Sequence, residues 1–253
     1  MTIRSVVGFF AHPDDETMLV GGMGAMLAQQ GIRVTFVSAT RGEGGELGEP
    51  PITTREALGQ TRETELREAG KALGVQIEFM DYIDPVCEVG GELFPFACSP
   101  DDLARQAGEI AVRLEADVVL THGIDGEYGH PAHILLHHQV IRGVQTYKPN
   151  TLIYTVAARV PTIEDFLWNA HELAHFALNI QPWADAKISA MECHLTQSAV
   201  FRRKNNLPAV KDAMRVVESV RRYHPETDVD QVPDDPFAQL LIAAGAWSPA
   251  PSE

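Results

Sequence analysis

The residue types best suited to chemistry lie at positions 11–16, where the chain reads Ala-His-Pro-Asp-Asp-Glu. This segment follows residues 3–10, a β-branched and aromatic run that predicts a buried strand ending in a loop. Loops at the carboxyl ends of strands are where ligands bind in open α/β sheets. His12 and Asp15 are metal-ligating residue types three positions apart, and Asp14 lies between them. The segment therefore predicts a metal site with a neighbouring carboxylate.

A second polar cluster covers residues 122–133 and follows a predicted strand at 117–121. A proline after His130 fits the first position of a helix, which makes His130 the N-cap and places His133 at the end of the first turn. We expect both imidazoles to point toward the sheet edge that carries the first cluster. Three protein ligands with one open position are typical of catalytic zinc, and the two clusters together can supply that set.

Strand and helix patterns alternate through the first two thirds of the chain. Strands are predicted at 3–10, 32–40, 75–80, 117–121 and 151–158, and the helices between them at 16–30, 53–73, 99–116 and 131–145. Strands separated by such helices predict an α/β fold with a Rossmann-like, mostly parallel, doubly wound sheet. Later helices are expected at 182–193, 208–223 and 236–245. We expect one domain over residues 1–253, with 205–253 as a helical C-terminal extension.

Composition restricts the classes of partner. Among 253 residues, 20 Lys and Arg stand against 35 Asp and Glu, a formal net charge of −15. Such a charge repels phosphate backbones and anionic lipid, so neither nucleic acid nor a membrane is expected as a partner. Three cysteines without a paired spacing, no signal-peptide pattern and no apolar run long enough to cross a bilayer predict a cytoplasmic protein. The sequence leaves open whether the chain forms a homo-oligomer.

These motifs resemble those of the PIG-L/LmbE-like zinc-dependent N-acetylglucosaminyl deacetylases. The resemblance rests on the segment 11–16, the Gly-His-Pro-x-His string at 129–133, and flanking signatures at 40–43, 62–74 and 187–197. The Tyr-Gly-His-Pro string at 128–131 is similar to the branch that acts in mycothiol or bacillithiol biosynthesis. The family implies a small-molecule N-acetylated amino-sugar as substrate and hydrolysis of its acetamide.

The resemblance also implies roles for individual residues. Three ligands for one Zn²⁺ per chain are implied, with Fe²⁺ left open as the metal: His12, Asp15 and His133. Asp14 would be the general base, and His130 the general acid or oxyanion stabiliser with Tyr128 assisting. Many members have Asp where this chain has Ala132. A metal-binding module without turnover therefore stays an alternative.

The charge states of the catalytic candidates are expected to follow from their place at helix N-termini. The helix dipole favours an anion there, so we expect Asp14 to stay ionised and to accept a proton from water. The same dipole disfavours an imidazolium, which leaves two alternatives for His130, a general acid or a neutral electrophile. Substrate contacts are expected from Arg41, Glu43, Arg55 and His194, with Arg62 a further candidate to meet an anionic aglycone.

One other motif competes for the role of metal site. Residues 171–175 read His-Glu-Leu-Ala-His and match the H-E-x-x-H motif of zincin metallopeptidases. In a zincin, His171 and His175 would bind zinc and Glu172 would be the base. We favour coincidence, because a doubly wound sheet with sites at strand ends is the wrong setting for that helix.

Overall fold

The computed structural model describes residues 2–87, 91–164, 168–228 and 231–249, without the side chains of 204 and 205. The strands are β1 (Ser5–Phe10), β2 (Arg33–Ser38), β3 (Gln76–Phe79), β4 (Val118–Thr121), β5 (Leu152–Val156), β6 (Ala158–Arg159), β7 (Asn169–Leu173), β8 (Phe176–Asn179) and β9 (Val217–His224). The helices are α1 (Asp15–Gln29), α2 (Leu58–Leu73), α3 (Pro100–Arg113), α4 (Gly126–Gly129), α5 (Pro131–Tyr147), α6 (Ala184–Cys193), α7 (Ser198–Asn205) and α8 (Pro236–Ala243).

The main sheet has the strand order β3-β2-β1-β4-β5-β9-β8, and β6 pairs with β7 in a separate two-stranded sheet. From β3 to β5 every pairing is parallel. All six residues of β1 are buried because helices cover both faces of the sheet. Val6 and Phe10 pack in the core cluster that contains residues of α1, and Val7 and Phe9 pack in the opposite cluster with residues of α3 and α5.

The predicted Rossmann-like α/β sheet is confirmed, and so is every strand and helix predicted before residue 160. The largest shift in bounds is at α2, which begins at Leu58 rather than at 53. Among the described residues, no helix combines the length and the hydrophobicity that a membrane crossing requires.

The helix predicted at 208–223 is wrong. Its first part contains a 3-10 turn, Val210–Ala213, and its second part is β9, which lies antiparallel between β5 and β8. Val217, Val220 and Tyr223 are three residues apart, a spacing that suits a helix face, and pairing with two neighbouring strands outweighs it. The segment 205–253 is therefore not a purely helical extension, since it supplies a strand to the main sheet. Helix α7 and strands β6, β7 and β8 were also not predicted from the sequence.

Helix α1 is interrupted one turn after the first polar cluster. Val20 has φ −141° and ψ 19°, outside the helical region. The backbone N–H groups of Gly22 and Met23 donate to the Glu218 carboxylate at 2.8 and 2.7 Å. Lys187 Nζ lies 2.7 Å from the same carboxylate, and both side chains are buried. This buried ion pair satisfies the backbone groups that the interruption leaves without helical partners.

Candidate active site

Two loops at the carboxyl edge of the sheet bring the polar clusters together. Strands β1 and β4 are parallel neighbours, with Phe9 opposite Thr121, so the loops that follow them begin side by side. Helix α5 starts at the same edge, with the His130 side chain accepting a hydrogen bond from its first turn. The side chains of both clusters line one cavity of about 620 Å³.

Three potential ligand atoms form a nearly equilateral triangle. His133 Nε2 lies 3.3 Å from His12 Nδ1 and 3.3 Å from Asp15 Oδ2, and the third side, His12 Nδ1 to Asp15 Oδ2, is 3.4 Å. Zinc binds nitrogen and oxygen at about 2.0–2.2 Å, which in a tetrahedron separates ligand atoms by about 3.3–3.6 Å. The triangle therefore fits three corners of a tetrahedral site.

Neighbouring carboxylates orient the two imidazoles of this triangle. Glu127 Oε2 lies 2.6 Å from His133 Nδ1, so that nitrogen carries the proton and Nε2 keeps its lone pair for a metal. Asp84 Oδ1 lies 3.2 Å from His12 Nε2, an ion-pair distance without good hydrogen-bond alignment, and favours the proton on that nitrogen. The lone pairs of His12 Nδ1 and His133 Nε2 therefore both face Asp15.

Two other histidines lie close enough to be ligands, in the groups His12–His130–His133 and Asp15–His122–His133. His122 Nε2 accepts the Ala11 N–H at 3.0 Å, and its Nδ1 lies 2.9 Å from Glu127. His130 Nδ1 accepts the Ala132 N–H at 3.2 Å, which leaves the proton of the neutral ring on Nε2. Each ring therefore has one lone pair already used and a proton on the other nitrogen. The set that the resemblance implies, His12, Asp15 and His133, stays a prediction, and the geometry of the triangle is compatible with it.

The same carboxylates set the charge of the cluster without metal. Burial lowers the pKa of His12, but Asp15 and Asp84 raise it overall to about 9. Burial likewise lowers the pKa of His133, and Asp15 and Glu127 raise it to about 10. The pKa of Asp15 is held well below its usual value by His133 and His12, against the effect of burial. A metal must therefore displace protons from this site.

Asp14 has an unusual backbone conformation beside the triangle, with φ 116° and ψ −30°. Its N–H donates to Glu16 Oε2 at 3.2 Å, and Arg62 Nη2 donates to its Oδ2 at 3.0 Å. The same guanidinium donates to the Pro13 carbonyl at 2.5 Å, so Arg62 holds the strained loop from both sides. Burial raises the pKa of Asp14 to about 7, although Arg62 opposes the rise. Burial thus opposes the ionised state that we expected for Asp14 from the helix dipole.

His130 and Tyr128 complete the wall next to the triangle. The His130 ring centroid is 4.8 Å from that of His12 and 5.7 Å from that of Tyr128. Burial, together with the charges of His12 and His133, lowers the pKa of His130 to about 3. Burial and nearby carboxylates raise the pKa of Tyr128. Both side chains are thus neutral hydrogen-bond donors at pH 7, which favours the electrophile over the general acid for His130.

The four residues predicted to contact substrate lie outside the described lining of the cavity. Arg41 pairs with Glu63 at 2.6 Å, and Arg55 donates to the Glu43 carbonyl at 2.6 Å. His194 is buried and bonds to Thr17 Oγ1 at 3.1 Å. These contacts hold the surrounding loops in place. Direct substrate contact by the four residues stays a prediction, and the geometry does not support it. Arg62 does line the cavity, but it is buried and bound to Asp14.

The zincin interpretation of residues 171–175 is wrong. His171 and Glu172 lie on strand β7, not on a helix, so His171 and His175 are not presented one helical turn apart. The His171 side chain is 83% exposed and pairs with Asp125 Oδ1 at 2.6 Å. His175 Nδ1 accepts the Arg222 N–H at 3.0 Å, which occupies that lone pair.

The fold and the site define an α/β protein with a candidate catalytic metal centre at the carboxyl edge of its sheet. A model of the family described as PIG-L: GlcNAc-PI de-N-acetylase matches residues 7–144, more than half of the chain. The chain belongs to the PIG-L family.

Two relatives with assigned names are similar along most of their length. A 1D-myo-inositol 2-acetamido-2-deoxy-alpha-D-glucopyranoside deacetylase of Corynebacterium diphtheriae is 34% identical over 233 residues, which cover 77% of this chain and 78% of the relative. A "Probable N-acetyl-alpha-D-glucosaminyl L-malate deacetylase 2" of Bacillus anthracis is 29% identical, covering 78% of this chain and 82% of the relative.

Solved structures share the fold at lower identity. The hydratase GalB of Pseudomonas putida has a TM-score of 0.62 and 20% identity, covering 89% of this chain and 98% of that one. The N,N'-diacetylchitobiose deacetylase of Pyrococcus horikoshii has a TM-score of 0.62 and 19% identity, covering 87% and 83%. Because one of these is a hydratase and the other a deacetylase, the fold does not by itself specify the reaction.

Proposed function

We propose that this protein is a zinc-dependent hydrolase that removes the N-acetyl group from an N-acetylglucosaminyl conjugate in the biosynthesis of a low-molecular-weight thiol. The triangle of His12, Asp15 and His133 beside the Asp14 carboxylate carries the proposal. The two named relatives, which act on glucosaminyl inositol and glucosaminyl malate compounds, support the substrate class. The acidic composition and the cysteine content support a cytoplasmic location.

The metal is proposed to be zinc, because two imidazoles and one carboxylate with an open fourth position suit a catalytic zinc site. The chemistry that zinc would supply there is Lewis acidity toward the acetamide carbonyl, together with a lowered pKa of water, to about 7. Glu127 would fix the ring of His133 during the reaction, because its carboxylate accepts the Nδ1 proton at 2.6 Å.

Asp14 is proposed to move the proton in the reaction. Its pKa, which burial raises to about 7, lets the carboxylate accept a proton from the attacking water and return it to the departing amine. Arg62 holds the Asp14 carboxylate in place through its hydrogen bond to Oδ2 at 3.0 Å. General acid–base groups of this kind contribute about 10²–10⁴-fold to a rate.

His130 and Tyr128 are proposed to stabilise the oxyanion that forms when water attacks the carbonyl. In the neutral His130 ring the proton lies on Nε2, since Nδ1 accepts the Ala132 N–H. The raised pKa of Tyr128 keeps its hydroxyl protonated as a second donor. Donors held in place before the reaction lower the energy of the transition state at no cost of reorganisation.

The proposal is tested with zinc-loaded protein on N-acetylglucosaminyl-malate, N-acetylglucosaminyl-inositol and diacetylchitobiose, followed by detection of free amine. Asp14→Asn should retain zinc and lose at least about 100-fold in kcat. His133→Ala should lose zinc, measured by elemental analysis of the purified protein. His171→Ala is the control and should retain both zinc and turnover. No amine from any of the three compounds, or turnover retained in Asp14→Asn, would refute the mechanism.

A further inference from the structure

The cavity has a second wall that the proposed reaction does not use. Five large apolar side chains lie on it: Leu93, Phe94, Val200, Phe201 and Leu207. The first two belong to the segment between β3 and α3, and the others come from α7 and the residues after it. We call these five residues the apolar wall.

The apolar wall is exposed to solvent at two of its residues. Leu93 and Phe94 are 41% and 50% exposed, whereas His12 and His133 are buried. Large apolar side chains left exposed beside a buried polar cluster are typical of a ligand-binding groove. A conjugate whose acetamide reaches His133 would therefore direct its other end along this wall.

The charged groups near the apolar wall do not favour an anion. Apart from the polar clusters and Asp84, the charged residues in the described lining are Glu164, Asp212, Arg62 and Arg215. Arg62 is buried and bound to Asp14, and the Arg215 guanidinium lies 5.4 Å from the centroid of the Trp168 ring. Besides the buried Arg62, this part of the described lining therefore holds two carboxylates, Glu164 and Asp212, and one guanidinium, Arg215. A carboxylated group would be repelled here more than it is attracted.

We propose that the apolar wall binds the aglycone of the substrate, and that this aglycone is uncharged and presents an apolar face to the wall. The inference rests on the proposed deacetylation of a glucosaminyl conjugate and specifies the aglycone of that conjugate. Each methylene that leaves water for such a wall strengthens binding by about fourfold. The wall therefore gives selectivity without a directed polar contact.

The test compares three N-acetylglucosaminides on zinc-loaded protein: the methyl glycoside, the octyl glycoside below its micelle concentration, and N-acetylglucosaminyl-malate. We expect kcat/KM for the octyl glycoside to exceed that for the methyl glycoside by at least about tenfold, mainly through KM. The malate conjugate should fall below the methyl glycoside. Amine release from all three without an octyl preference, or with malate as the best substrate, would overturn the inference and leave the deacetylation intact. No release from any glycoside would overturn both.

Paired variants show whether the wall itself produces the preference. Phe94→Ser should reduce the octyl-to-methyl ratio by at least about fivefold. Val232→Ser is the matched control, because Val232 is 51% exposed and lies outside the cavity lining. Glu164→Lys should raise kcat/KM for the malate conjugate, whereas Glu109→Lys on α3 should not. A ratio that stays the same in Phe94→Ser, or changes equally in Val232→Ser, would contradict a role for the apolar wall.

Discussion

The buried ion pair of Lys187 and Glu218 allows a test of what stabilises the interrupted helix α1. Lys187 Nζ lies 2.7 Å from Glu218 Oε1, with side-chain exposures of 0% and 1%. Glu218 also accepts the N–H groups of Gly22 and Met23 at the interruption of α1. Substituting Glu218→Gln keeps an acceptor for these donors and removes the counter-ion of Lys187.

The expected loss of stability in Glu218→Gln follows from the Lys187 charge that remains buried without its partner. An uncompensated ammonium left by removal of its partner costs about 3–5 kcal/mol, a large part of a total stability of about 5–15 kcal/mol. Adding Lys187→Met removes that charge and sacrifices the hydrogen bond from Lys187 to the Met18 carbonyl, a loss of about 1–3 kcal/mol. The double variant should therefore be more stable than Glu218→Gln alone, by about 2 kcal/mol.

The assay is urea unfolding of the two single variants, the double variant and the parent chain, followed by circular dichroism. Arg105 and Glu109 on α3 provide a matched control, since they form an ion pair at 2.9 Å with exposures of 45% and 53%. Solvent screens that pair, so its double-mutant cycle should show only weak coupling. A double variant less stable than Glu218→Gln, or coupling as weak as in the exposed pair, would refute the reasoning.

Three further predictions concern the metal cluster. Because nearby carboxylates raise the pKa of His12 to about 9 and that of His133 to about 10, zinc binding at pH 7 should release at least one proton. Zinc affinity should then rise at least about tenfold per pH unit from 7 to 8. Calorimetry in buffers of different ionisation enthalpy measures this proton release and the affinity. An affinity that does not depend on pH would contradict the prediction. Glu127→Ala should weaken zinc binding by about 10–100-fold in a chelator competition, with Glu109→Ala unchanged. Asp84→Asn should lower the pKa of His12, observed by NMR of the metal-free protein, and an unchanged titration would count against the pairing at 3.2 Å.

The parallel half of the fold could be predicted because its signals are local and agree with one another. Apolar runs such as that of β1 stop at polar clusters, and Ser99 Oγ caps α3 by accepting a hydrogen bond from the Asp102 N–H. After residue 160 the predicted helices at 182–193 and 236–245 are confirmed as α6 and α8, whereas the strands could not be predicted in the same way. Strand β9 exists because β5 and β8 provide partners far away in sequence, and no local pattern records that pairing.

The candidate site was likewise predicted only in part from the sequence. His12, Asp15 and His133 stand in two contiguous motifs, so residue type and spacing indicated a metal site, and the family resemblance implied these three ligands. Glu127 was not among the predicted site residues, and in the structure its carboxylate contacts the rings of His133 and His122. The sequence signal was present, because Glu127 lies within the second cluster. Its partner depends on a backbone at φ 60°, which sequence spacing does not reveal.

The most instructive feature of the site is how it distinguishes among four adjacent histidines. Neighbouring rings are separated by 3.9–5.3 Å between centroids, so proximity alone does not decide which of them bind a metal. In the proposed ligand set, backbone N–H groups account for the choice, because those of Ala11 and Ala132 occupy one lone pair each on His122 and His130. A carboxylate then accepts the remaining proton of His122, and the remaining proton of His130 is left for an oxyanion. We therefore propose that the loop backbone determines the ligand set, so a variant that shifts either loop should alter metal binding without any change of histidine.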